Sequence, residues 1–214
     1  TFWGQAGSGV VGSFDDRTPN AYEESWPGGD SPNQGHSASN MFYYTNSLDV
    51  ATLHASYTPQ GAGASASSEF GIVVNAIDNL ELYGAVGTDN GVGGAAVDNT
   101  IVGAKFTYGG ATIGLQSNEA DSEAANGDEE FTAWGISYAV SEDLSISYNA
   151  STLNFETLGT EDQDATGISA SYTMGSMTLA GVMNSIEDQG AGATGAGNTD
   201  TNSDTYEVNL SFAF

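Results

Sequence analysis

The chain has 214 residues, carries 2 Lys or Arg against 28 Asp or Glu for a formal charge of −26, and contains no cysteine. That charge argues against nucleic-acid binding, which needs basic surface, and the missing thiol excludes disulfides and thiolate chemistry. No run approaches the roughly 18 apolar residues of a spanning helix, which excludes a helical membrane protein and leaves open one that crosses with alternating strands. Acidic chains rich in Gly, Ser and Asn often stay unfolded. Here 3 Trp, 10 Tyr and 9 Phe, most at alternating positions, point instead to an ordered sheet. The acidity suits divalent-cation binding or a saline setting, and plain solubility through self-repulsion accounts for it equally.

Thr1-Phe-Trp-Gly-Gln reads as the end of a strand with a glycine-rich exit through Gly12. Without a signal peptide or initiator Met, the chain reads as mature and incomplete. Residues 14–38 have no strand period and hold Asp15, Asp16, Arg17, Pro19, Glu23, Glu24, Pro27, Asp30 and Pro32. A loop this long inside a compact fold is uncommon and usually functional.

A regular succession follows. Strands are expected at 40–45, 50–58, 70–76, 80–86, 101–108, 111–117, 131–140, 144–153, 167–174 and 177–184, with a last one from 206. Gly109-Gly110 is the strongest hairpin signal, because both residues tolerate positive φ. Short turns alternate strictly with long Gly-rich or acidic loops, which places all long loops at one end of the sheet. Outer-membrane barrels have this arrangement.

Along each strand one face is apolar: Val102, Ala104, Phe106 and Tyr108, then Trp134, Ile136 and Tyr138, then Ile168, Tyr172 and Met174. The other carries Gly103, Lys105 and Thr107, then Ser145, Ser147 and Asn149, then Ser169, Ser171 and Thr173. A soluble sandwich would carry charge on its outer face. A small, nearly uncharged second face suits an enclosed, water-filled lumen, with the apolar rows touching lipid. Tyr108, Tyr138 and Tyr172 near the short turns, and Tyr57 near the opposite rim, fit aromatic girdles. Parity places His54 and Lys105 inside, and His36 and His54 read as loop and lumen residues rather than metal ligands.

The final strand places Tyr206, Val208, Leu210, Phe212 and Phe214 at every second position. That pattern resembles the C-terminal signature of bacterial outer-membrane β-barrels, whose closing strand ends in Phe. Asp15-Asp16-Arg17-Thr18-Pro19, Glu23-Glu24-Ser25-Trp26 and Ser39-Asn40-Met41 are similar to a run in the trimeric general porins of alphaproteobacteria. The resemblance implies an all-β, antiparallel transmembrane β-barrel of the 16-stranded porin type, with about 11 complete strands in this C-terminal two-thirds. It implies three regions: 1–13 as the end of a barrel strand, 14–38 as an inward-folding constriction loop, and 39–214 as barrel strands with long extracellular loops and short periplasmic turns.

Function follows by the same resemblance: an outer-membrane channel for passive diffusion of ions and small hydrophilic solutes, with no catalytic residues. Asp15, Asp16, Arg17, Glu23, Glu24 and Asp30 are the candidate constriction residues. Carboxylates in a pore favour cations, so cation preference is expected. The family's facing basic cluster is a departure, because Arg17 and Lys105 are the only Arg and Lys. Implied partners are outer-membrane lipid and lipopolysaccharide, the barrel-assembly machinery through Phe214, and two further copies in a homotrimer. No cofactor is expected, although adjacent loop carboxylates would bind Ca²⁺ through oxygen. The competing reading is a soluble, acidic all-β protein, a Ca²⁺-binding or surface-layer molecule.

Overall fold

A computed structural model describes residues 2–15, 17–24, 35–61, 65–90, 95–156, 161–189 and 202–213, with residues 2–6 as backbone. The described residues form twelve strands and no helix. They are β1 (Phe2–Ser8), β2 (Ser37–Ser47), β3 (Ala51–Thr58), β4 (Ser67–Ile77), β5 (Leu80–Asp89) and β6 (Val97–Tyr108). Then come β7 (Ala111–Ser122), β8 (Glu129–Ala139), β9 (Leu144–Phe155), β10 (Gln163–Met174), β11 (Met177–Glu187) and β12 (Ser203–Phe212). They make one sheet in chain order, each strand hydrogen-bonded to its sequence neighbours.

The expected alternation of joints is present. Two-residue turns join β4 to β5, β6 to β7 and β10 to β11. Each places one residue in the left-handed region, Asn79, Gly109 or Gly175 with φ of 64°, 59° and 64°. The strands run further toward the long loops than their apolar pattern suggests. β6 begins at Val97, β7 continues to Ser122, β10 begins at Gln163 and β11 continues to Glu187. Those ends are acidic or amide-rich, so backbone pairing persists there after the hydrophobic period has stopped.

The chain divides into two compact units. The first comprises Thr1–Arg17, Pro32–Ala104 and Ser117–Glu130. Its strands β1 to β5 pair as an antiparallel meander. The second comprises Thr18–Ser31, Lys105–Gln116 and Phe131–Phe214. In it β9 to β12 pair the same way, and the register lines up rows across the sheet. Tyr148, Ile168, Met183 and Tyr206 form one row, and Ser147, Ser169, Val182 and Glu207 form a row on the opposite face.

The apolar rows are the exposed ones. Phe70, Ile168, Met183, Tyr206 and Val208 are all more than half exposed, and Trp134 meets Tyr148 at a tilt with centroids 5.4 Å apart. Exposed apolar patches on soluble monomers seldom exceed a few hundred Å². Here the apolar face continues strand after strand, as hydrocarbon contact requires. Tyr57, Tyr108, Tyr138 and Tyr172 all lie exposed near strand ends.

The second face departs from a uniformly small, polar lining in two places. In the first unit Tyr43, Val73, Tyr83, Ala85 and Ile101 are buried with Val10, Val11 and Phe14 from the segment after β1. In the second unit Phe131, Ala133, Leu153, Ala165 and Ile186 form another buried cluster, with Phe155 against it.

The assignment of faces has a direct test. Ile168→Lys is expected to lower the folding free energy in lipid vesicles by about 2–4 kcal/mol, the cost of a lipid-facing Lys near the midplane. Ser171→Lys, on the opposite face of β10, should change it little; urea titration of folding in vesicles reads both.

Candidate functional site: the segment laid on the second face

After Ser8 the chain leaves β1 through Gly9, and Phe14 with Val10 and Val11 lies fully buried against the second face. Burying one such side chain contributes about 1.5–3 kcal/mol. Phe14 meets His54 edge-on at 5.3 Å, and the Tyr43 hydroxyl lies 3.2 Å from His54 Nδ1 and 3.0 Å from Ser13 Oγ. Beyond this wedge the Arg17 guanidinium sits 5.0 Å from the Phe14 ring centroid and 4.8 Å from that of Tyr83, and Nη2 donates to Glu81 Oε1 at 3.0 Å. Desolvated cation–π contacts of this kind reach about 2 kcal/mol. Asp15 is also buried, and its carboxylate accepts from Asn118 Nδ2 at 2.5 Å.

Both mouths of the excursion close on β4. Glu69, 1% exposed, accepts through Oε2 from the Val11 N–H at 3.1 Å and from Ser56 Oγ at 3.0 Å. Through Oε1 it accepts from the His36 N–H at 2.7 Å. The His36 ring meets Asp89 Oδ1 at 2.6 Å.

In the second unit, residues 18–24 lie along the sheet and bond to its small polar row. Asn149 Nδ2 donates to the Pro19 carbonyl at 3.1 Å. The Ala21 N–H donates to Ser147 Oγ at 2.9 Å, and the Tyr22 N–H donates to Ser169 Oγ at 3.1 Å. The Tyr22 hydroxyl donates to Glu207 Oε1. Close approach requires glycine beneath: a Cβ on Gly114 would meet Pro19 Cδ at 2.5 Å, and one on Gly135 would meet the Pro19 carbonyl at 2.8 Å.

This geometry shifts two titrations. The hydrogen bond to Glu207, then desolvation, pushes the Tyr22 phenol up to about 12. Desolvation first, and then Glu207, raises the Glu23 carboxyl above its usual range.

The structure brings Asp15 and Arg17 together with the wall of the first unit, and places Glu23 and Glu24 half-buried on the second, where Asn20 Nδ2 lies 3.5 Å from Glu24. Lys105 and His54 lie half-buried on the face opposite the apolar rows. Lys105 borders the same segment, its Cγ lying 3.2 Å from where a Gly114 Cβ would stand. Tyr206, Val208, Leu210 and Phe212 are exposed on the apolar face. Asp16, Asp30 and Phe214 lie outside the described residues. Glu69, Glu81 and Glu207 are the wall carboxylates that sequence reasoning missed. Only strand parity could have pointed to them, since each alternates with an apolar neighbour. Among the described residues no group of three or more Asp, Glu or His is placed to hold a metal ion.

A family model described as Gram-negative porin matches residues 2–157, more than half of the chain. The chain belongs to that family. Porin membership places it in the bacterial outer membrane, and solved structures agree on the fold. OmpT, an outer membrane protein of Vibrio cholerae, superposes with TM-score 0.66 at 16% identity, covering 98% of this chain and 73% of that one. A triple-substitution variant of Rh. blastica porin gives 0.64 at 18%, covering 99% and 72%. Another Rh. blastica variant gives 0.56 at 21%, with coverage of 82% and 55%. A comparison with curated proteins gives no match. The porin fold is therefore an all-β antiparallel transmembrane barrel sheet, and its apolar rows face lipid.

The Tyr22–Glu207 contact predicts its own titration. A phenol raised in the folded state contributes stability that is complete below pH 10 and lost as pH rises through about 12. Ultraviolet titration of the folded protein should therefore show a phenol ionising near pH 12. Tyr22→Phe should remove that step and leave the others.

Proposed function

We propose that this porin forms a water-filled channel for passive diffusion of ions and small hydrophilic solutes, with a preference for cations. The observation that carries the reading is the acidic segment 18–24 bonded along the Ser/Asn row of the second face, while the first face presents exposed apolar rows. Glu23, Glu24 and Glu207 gather carboxylates there, whereas Arg17 has its charge matched by Glu81 at 3.0 Å. Carboxylates lining an aqueous path favour cations because they replace part of the ion's lost hydration. Membership of the porin family supports transport rather than catalysis.

The same reading extends to partners. Contact with lipopolysaccharide follows from the apolar belt. A homotrimer, and recognition of the C-terminal strand by barrel-assembly machinery, follow from the family's architecture. Calcium held by carboxylates of the long loops would show as stabilisation reversed by a chelator.

The test is conductance of the full-length protein in planar bilayers under a KCl gradient. The reversal potential should report cations as the more permeant ions, and Glu23→Gln with Glu24→Gln should bring the permeability ratio severalfold closer to unity. Bilayers that stay closed to ions and sugars would overturn the reading.

Acid should act in the same direction. Because desolvation, and then Glu207, raises the Glu23 carboxyl, it takes up its proton at a higher pH than an ordinary Glu, so cation preference should begin to fall before ordinary carboxylates protonate. The Glu23→Gln channel should keep its ratio to lower pH.

A further inference from the structure

The neck of the excursion between β1 and β2 is built around one carboxylate. Glu69 accepts from the Val11 N–H on the outgoing chain and from the His36 N–H on the returning chain, at 3.1 and 2.7 Å. Ser56 Oγ, which donates to Glu69, accepts in turn from the Val10 N–H at 3.1 Å. The Gly9 N–H donates to the His36 carbonyl at 2.9 Å and closes the ring. Four backbone N–H groups and one carbonyl that a non-repetitive segment must satisfy are thus settled at one point.

The surroundings are shaped to this side chain. A Cβ on Gly9, Gly35 or Gly87 would come within 2.0, 2.5 and 2.4 Å of Glu69 atoms. Gly35 also has φ of +75°, a conformation that side chains rarely adopt. A buried carboxylate is a poor source of net stability compared with a packed apolar side chain. What it supplies is direction: it holds two antiparallel backbones at fixed hydrogen-bond distance, which a leucine could not.

We propose that Glu69 is a positioning residue for the transport path. It pins the exit and the re-entry of the inward segment together, and so fixes the carboxylates between them and keeps the open channel steady. This rests on the channel reading above. The expected loss is therefore of steadiness rather than of folding: a released neck lets the segment sample several positions, each with its own conductance.

The experiment is single-channel recording of the full-length protein and its variants, with folding checked by the shift of unheated samples on a gel. Glu69→Gln keeps the volume but turns an N–H₂ toward amide donors. It should give folded channels whose open-state current noise rises severalfold, with added sublevels. If Glu69→Gln fails to fold, Ser56→Ala removes one donor and the acceptor of Val10, and should give a smaller rise. Folded Glu69→Gln or Ser56→Ala channels as quiet as wild type would overturn the proposal. A wild-type protein that forms no channel would instead overturn the transport reading itself.

Discussion

Every backbone N–H and C=O placed in hydrocarbon must find its partner within the protein, and in this chain the ladder of strand pairing supplies those partners. Because a strand turns successive side chains to opposite faces, meeting that constraint also sorts the sequence. One set of alternate positions is left to lipid and the other to water. The row Tyr148, Ile168, Met183 and Tyr206 and the row Ser147, Ser169, Val182 and Glu207 come from the same four strands, offset by a single residue. A slip of one residue in any pairing would exchange them.

The second face then serves as more than a wall for water. Its serines and asparagines are short, so a chain can lie close to the sheet, and they bond the groups that an irregular segment leaves unpaired. Ser147 and Ser169 accept from Ala21 and Tyr22, Asn149 donates to Pro19, and Glu69 accepts from both ends of the neck. Where the wall is bulky instead, at Tyr43, Val73, Tyr83 and Ile101, the segment answers with Val10, Val11 and Phe14. Apolar side chains add to the backbone bonds at the first end, and the Tyr22 hydroxyl adds to them at the other.

The strands were legible in the sequence because period two is a local pattern, and the turns because Asn79, Gly109 and Gly175 must adopt positive φ. The strand ends toward the long loops were not, since residues such as Glu119, Asp121 and Asp164 carry no apolar period although their backbones pair. The segment after β1 was legible as a long acidic loop with prolines. Its attachment was not, because Val11 and Glu69 are 58 residues apart and Tyr22 and Glu207 are 185 apart. A glutamate at the polar end of a strand looks the same in sequence whether it is solvated or buried. Only the fold decides that Glu69 is 1% exposed while Glu207 sits in the open.

That difference also governs the electrostatics. A formal charge of −26 is a property of the whole chain, whereas a permeating ion would feel the few groups within a Debye length, about 8 Å at physiological ionic strength. Asp15 and Glu69 are tied to amide and hydroxyl donors away from water, and Arg17 is matched by Glu81 between two rings. Glu23, Glu24 and Glu207 keep their carboxylates where water reaches them. Desolvation, and then the neighbouring Glu207, raises the Glu23 titration, and that same neighbour adds to the negative potential along the segment.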